Sequence, residues 1–246
     1  MSRRVALVTD ANTHLGPDLA RVLAERAHDL VLGDPSDGLA DELRERGASV
    51  ETVTEVSDLA DPGVMPRLRE AAIRRFGRLD AACVRTGRII GGPLSSASLD
   101  DLRALNRHNV EAVFHALQTL IPSMVAQGSG QIVIVTSATG AKPAPQAALY
   151  SATRAAANML VKNAALEVAA KGVTINAIGT NFLDYPGFIA ANGAEDPEVR
   201  ARIERRVPVG RLGRTEEVAH FCAALLDGTN SFQTGQFFSL SGGWSD

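Results

Sequence analysis

Short apolar runs of strand length alternate with helix-period segments along nearly the whole chain. Apolar runs read as strands at Val5–Thr9, Leu30–Leu32, Ser49–Val53, Ala81–Val84, Gln131–Thr136, Thr174–Ile178 and Phe237–Leu240. Between them, apolar residues recurring at helical spacing predict helices near Pro17–Arg26, Leu39–Arg46, Pro62–Arg75, Leu102–Gln127 (broken near Asn109), Ala147–Ala170 and Glu216–Leu226. The run Gln131-Ile-Val-Ile-Val-Thr136 shows no polar alternation, as expected of a strand buried on both faces of a parallel sheet. Strand–helix alternation of this kind predicts one doubly wound, Rossmann-type α/β domain over residues 1–246, with about seven parallel strands and helices on both faces. Residues 179–214 break the rhythm. Pro186, Gly187, Gly193 and Pro197 fall in a segment that follows the sixth strand, where an insertion is expected to cover a ligand site.

Composition narrows the function classes. Apolar residues make up 45% of the 246 positions and charged residues 22%, which fits a packed core without a disulfide or metal staple. A net charge of -3 leaves no electrostatic footprint for nucleic acid. Cys83 and Cys222 lie in apolar runs and lack metal or redox spacing, so they read as small buried hydrophobes in a reducing compartment. The five histidines show no metal spacing, and no apolar run reaches membrane-spanning length. A cytoplasmic protein with no metal and no membrane or nucleic-acid partner is expected.

Two constellations carry chemistry. The first strand runs into Val8-Thr-Asp-Ala-Asn-Thr-His-Leu-Gly16 at the head of the first helix. This stretch resembles the TGxxxGxG turn of short-chain dehydrogenases, but Asp10 and His14 replace the first two glycines and only Gly16 remains. Those glycines let backbone amides approach a pyrophosphate, so side chains at 10 and 14 predict that no nucleotide cofactor binds. Asp34 and Asp58 point the other way, standing where such enzymes hold the ribose and adenine; as loop acids they need no ligand. The second constellation is Ser137 past the fifth strand, Tyr150 thirteen residues on, and Arg154 one helical turn further on the same face. This is the short-chain family's catalytic spacing, with Arg in place of its Lys. A guanidinium there favours an ionised phenol but replaces poorly the lysine's hydrogen bond to a nicotinamide ribose.

With the blocked turn, the Ser137–Tyr150–Arg154 set resembles the halohydrin dehalogenases. In that family the turn reads Thr, four residues, an aromatic, one residue and Gly; here Thr9, His14 and Gly16 stand at those positions. Ala177-Ile-Gly-Thr-Asn-Phe-Leu183 resembles the family's halide-binding loop. Asp184-Tyr-Pro-Gly-Phe188, Phe232-Gln-Thr-Gly-Gln-Phe-Phe238 and the ending Gly242-Gly-Trp-Ser-Asp resemble the subgroup accepting bulky and cyclic epoxides. The resemblance implies a cofactor-independent lyase. Tyr150 would deprotonate a β-haloalcohol, Ser137 would hydrogen-bond its oxygen, and halide would leave into a pocket of His14, Thr180, Asn181, Phe182 and Leu183 lined by backbone amides. The reverse reaction would open epoxides with azide, cyanide or nitrite. A protonated His14 would strengthen anion binding as pH falls, whereas a His14 that hydrogen-bonds a neighbouring carbonyl would not titrate. The family's helical packing, with Ala155-Ala-Ala-Asn-Met159 at the interface, implies a homotetramer. Asn109 is either a relay residue or a packing residue at a helix kink. Two rivals stand beside this reading: an NAD(P)-dependent oxidoreductase with an atypical phosphate turn, and a non-catalytic relative that keeps the pocket as a sensor.

Overall fold

The computed structural model describes residues 3–245. Seven parallel strands form the central sheet: β1 (Arg4–Val8), β2 (His28–Gly33), β3 (Val50–Val53), β4 (Ala81–Arg85), β5 (Gly130–Ser137), β6 (Val173–Thr180) and, last in the chain, β9 (Phe237–Leu240). Their order is β3-β2-β1-β4-β5-β6-β9. Each predicted strand is present and differs at its ends by no more than about two residues, within the usual scatter of strand boundaries. The two-residue strands β7 (Leu183–Asp184) and β8 (Gly213–Arg214) pair separately.

The helices are α1 (Gly16–Glu25), α2 (Leu39–Glu45), α3 (Val64–Phe76), α4 (Leu99–Asn106), α5 (Ala112–Gln127), α6 (Ala148–Val168), α7 (Pro186–Asn192), α8 (Pro197–Glu204) and α9 (Thr215–Leu226). Two apolar cores result. On one face of the sheet α1, α2 and α9 bury Leu19, Leu23, Leu43 and Cys222; on the other, α3, α5 and α6 bury Leu68, Leu117, Leu120 and Val161. The long helix predicted to break near Asn109 instead widens into a π-helical turn, Arg107–Glu111, between α4 and α5. Asn109 is fully buried there; its Oδ1 accepts from the Arg88 N–H at 2.8 Å and its Nδ2 donates to Thr153 Oγ1 at 2.9 Å. With both ends committed, it stitches the π turn to α6 and the chain after β4, the packing reading of this residue. Asp80, its side chain fully buried, ties the other end of the sheet by accepting from the Val5 N–H at 2.8 Å and from Arg78 at 2.6 and 2.8 Å.

The chain reverses direction across the sheet between β1 and β4, so the carboxyl ends of β1, β4, β5 and β6 enclose the crevice where such sheets bind ligands. Residues 179–214 lie over it. Phe182, Ala194, Ile203, Val207 and Leu212 form a third, smaller core in which Phe188 and Trp244 also pack. The long cover is therefore a folded lid-like layer with its own two helices, α7 and α8, which the sequence pattern left as loop. Among the described residues no helix is long and apolar enough to cross a membrane, and no group of three or more His, Cys, Asp or Glu is placed to hold a metal ion.

Candidate functional site

Ser137 ends β5 and caps the short 3₁₀ turn that follows, accepting from the Thr139 N–H at 3.3 Å, with its Oγ 2.9 Å from Thr139 Oγ1. Tyr150 and Arg154 lie on one buried face of α6 with Thr153, Ala157 and Val161. Ser137, Tyr150 and Arg154 line a single cavity of ≈ 240 Å³ at the carboxyl ends of the strands, together with His14, Thr180, Asn181, Phe182 and Leu183. All eight residues singled out from the sequence thus meet at one place. Apolar walls come from Ile89, Val135, Tyr185 and Phe188.

Arg154 is only 4% exposed. Its guanidinium carbon stands 5.2 Å from the centre of the Tyr150 ring. Nη2 donates to the Thr86 carbonyl at 2.7 Å and Nη1 to Thr86 Oγ1 at 3.3 Å, while the buried Nε has no acceptor. Gly87, at φ +122°, makes room for this group; a methyl there would fall 1.8 Å from Nη2.

His14 adopts a left-handed backbone, φ +54°, and buries its ring edge-on against Tyr185, 4.9 Å between centroids. Its Nε2 lies 3.4 Å from Thr180 Oγ1 and its Nδ1 is buried without a partner. Burial, and then the guanidinium groups of Arg85 and Arg154, push its pKa down to about 3. The imidazole is therefore neutral over the range in which histidines ordinarily titrate, and the expectation that it gains charge and draws anions as pH falls is corrected.

The expected cup of amide donors also fails on geometry. The Asn181 N–H already donates to the Leu240 carbonyl at 3.4 Å, and the Phe182 N–H to Asn181 Oδ1 at 2.9 Å. Phe182 sits at φ +55° and its ring packs edge-on against Trp244. Thr180, Asn181, Phe182 and Leu183 shape the cavity wall, but two of the amides meant to receive a halide are spent on the protein.

One charged cavity residue, Arg85, escaped the sequence reading. Arg85, at the end of β4, ion-pairs through Nη1 with Asp10 of the first turn. It lines both this cavity and a second one of ≈ 180 Å³ lined by Asp10, Asp34, Ser57, Leu59 and His108. The signal was a charged residue closing an otherwise apolar strand, Ala81-Ala-Cys-Val-Arg85. Asp34 and Asp58, the acids weighed for a nucleotide, are committed elsewhere. Asp34 accepts from the Glu55 and Val56 N–H groups at 2.7 and 3.0 Å. Asp58 pairs with Arg107 at 2.7 Å and lies 3.5 Å from His108.

The known proteins that this chain resembles are oxidoreductases. A family model described as enoyl-(acyl carrier protein) reductase matches residues 11–245. The cis-4-hydroxycyclohexanecarboxylate dehydrogenase of Sinomonas cyclohexanicum is 34% identical, covering 99% of this chain and 97% of its own. The 2,5-dichloro-2,5-cyclohexadiene-1,4-diol dehydrogenase LinX of Sphingobium indicum is 29% identical, covering 100% and 97%. Among solved structures, a variant actinorhodin polyketide ketoreductase with NADPH superposes at a TM-score of 0.90, with 26% identity and 99% and 98% coverage. Levodione reductase does so at 0.87, with 26% identity and 98% and 96% coverage. These relatives overturn the dehalogenase expectation. The lyase activity and the haloalcohol, epoxide, halide and pseudohalide partners are replaced by the oxidoreductase alternative, because likeness over the entire chain runs to named dehydrogenases and reductases. The Arg154 and His14 departures, on which the other reading leaned, are local changes within that framework.

Proposed function

Because the chain belongs to the short-chain dehydrogenase/reductase superfamily, we propose that it is an oxidoreductase-class enzyme acting at the hydroxyl or carbonyl oxygen of a small cyclic alcohol or ketone. One observation carries the reading. Tyr150 and Ser137, both buried, line an apolar cavity at the carboxyl ends of the strands, with a buried guanidinium beside the phenol ring. Tyr150 exchanges the proton at the substrate oxygen and Ser137 hydrogen-bonds that oxygen. Arg154 holds positive charge next to the phenol and favours negative charge developing there. The ring substrates named for two relatives, a cyclohexane and a cyclohexadiene, match the size and apolar walls of the cavity.

Superfamily membership implies a nicotinamide dinucleotide, and the residues of the turn do not fit it as they stand. The carboxylate of Asp10 and the ring of His14 occupy positions that the glycine pattern leaves bare for phosphate, and His14 is buried in place against Tyr185. Asp34 has both carboxylate oxygens engaged by amides of its own chain. No step is therefore assigned to that cofactor.

Oxidation of a panel of cyclic secondary alcohols, with NAD⁺, NADP⁺ or a phenazine dye supplied in separate arms, tests the proposal. Ketone should form with at least one acceptor. Absence of ketone from every alcohol in every arm, with protein shown to be folded, would overturn it. We further propose a cytoplasmic homotetramer. In support, Phe114 on α5 and Met159 and Leu166 on α6 present apolar side chains to solvent, the last two a spacing of seven apart on one helix face.

A further inference from the structure

We infer that the catalytic cavity selects an anionic substrate, a hydroxy or oxo carboxylate whose carboxylate is held by Arg85 while its oxygen sits at Ser137 and Tyr150. The oxygen end of this pose rests on the function proposed above; the carboxylate end rests on the charge of the cavity.

Two arginines, Arg85 and Arg154, line the cavity, and no aspartate or glutamate does. Arg154, 4% exposed, has no acidic partner among the described residues: its hydrogen bonds go to the neutral oxygens of Thr86, and its Nε is buried without any acceptor. Buried cations are ordinarily paired, because removing charge from water is costly without a counter-charge. His14, which also lines the cavity, stays neutral and changes nothing in this balance. The nearest acid, Asp10, lines the adjoining cavity and takes up Nη1 of Arg85 alone. Nε and Nη2 of Arg85 make no hydrogen bond within the described protein, and the side chain is a third exposed.

That leaves Arg85 one open edge of its planar fork, the edge that matches two carboxylate oxygens. Asp10 braces the guanidinium from the other side, limiting the freedom it must lose on binding. Arg154 adds an unscreened positive field but is locked beneath Tyr150 and against Gly87, so it does not reach out to a ligand. The apolar ring of the substrate then fills the space between the two ends, against Ile89, Phe182, Leu183 and Phe188.

Binding alone tests this, without turnover. Calorimetry compares cyclohexanecarboxylate with its carboxamide, which has the same shape and no charge, on the full chain at low salt. The carboxylate should bind at least tenfold more tightly. Arg85→Gln should erase that difference while leaving the carboxamide affinity within about twofold, and Arg85→Lys, which keeps charge without the fork, should recover only part of it. Inorganic phosphate and AMP, titrated in parallel, should compete weakly. Equal affinity for carboxylate and carboxamide would overturn the proposal, assigning the charge of Arg154 to Tyr150 alone. So would unchanged discrimination in Arg85→Gln, or competition by phosphate or AMP as strong as by carboxylate, which would make Arg85 a phosphate ligand. A carboxylate preference at Arg85 in a protein that oxidises no alcohol would leave this inference standing and refute the function.

Discussion

Replacing Asp10 and His14 together by glycine should create dinucleotide affinity without unfolding the protein. His14 holds a left-handed backbone, φ +54°, that costs an L-residue about 1–2 kcal/mol and glycine almost nothing. Its buried, unpartnered Nδ1 costs about 1–3 kcal/mol more. Against these gains stand the edge-on contact with Tyr185, about 0.5–1.5 kcal/mol, and the burial of the ring, about 1–2 kcal/mol. The greater chain freedom of unfolded glycine adds about 0.5–1 kcal/mol to the loss. For His14 the sum lies within about 3 kcal/mol of zero, so that substitution should move the melting temperature by less than about 12 °C in a chain of this size. The two substitutions also remove one carboxylate and one buried ring from the phosphate path. NADPH fluorescence and calorimetry should therefore give an affinity at least tenfold above the parent, about 1.4 kcal/mol. Two results would refute the reasoning. A double variant binding no better than the parent would clear these side chains of blocking the turn, and a parent binding either dinucleotide at micromolar concentration would show that they never did.

Three further outcomes follow from the same geometry. Gly87→Ala should cost roughly 2 kcal/mol or more, because the new methyl meets the Arg154 guanidinium at 1.8 Å on a backbone at φ +122°; denaturant melts measure it, and a change below about 0.5 kcal/mol would mean that Arg154 moves freely. The pKa of His14 is lowered in the folded chain to about 3, so below pH 6.5 the unfolded chain binds a proton that the folded one refuses. Stability should accordingly fall by about 1.4 kcal/mol per pH unit as pH drops from about 6 toward 3, and the slope should lessen by that amount in His14→Phe; equal slopes would contradict the burial of a neutral ring. Asp80→Ala should destabilise by roughly 1–3 kcal/mol, since it strands the buried Val5 N–H; a thermal melt unchanged within a degree would discount that network.

The fold was legible because a parallel sheet covered on both faces leaves uninterrupted apolar runs, as in β5, and these cannot be mistaken for solvated turns. Helices α7 and α8 were not, because Pro186 and Pro197 mark a loop as readily as the first turn of a helix. Asp196, whose carboxylate accepts from the Glu198 N–H at 2.8 Å, was the readable cap signal for the second. At the site, spacing alone brought Ser137, Tyr150 and Arg154 to one wall. Spacing says nothing of which backbone amides are already spent, so the Asn181 and Phe182 donors were credited to a ligand. It also missed Arg85, whose partner Asp10 lies seventy-five positions away. The functional class went astray for a related reason: two local departures, at His14 and Arg154, were weighed above the rest of a chain that follows the dehydrogenases from end to end.

Steady-state oxidation of the best cyclic hydroxy acid by the parent, Tyr150→Phe and Ser137→Ala, with the electron acceptor that serves the parent best supplied in excess, tests the central claim most directly. Each substitution leaves the apolar wall nearly intact, so both variants should melt within a few degrees of the parent. If Tyr150 exchanges the substrate proton, Tyr150→Phe should lower kcat at least a hundredfold with little change in KM, and Ser137→Ala should lower it by about tenfold or more. A Tyr150→Phe enzyme that retains more than a fifth of the parent's kcat would contradict the assignment.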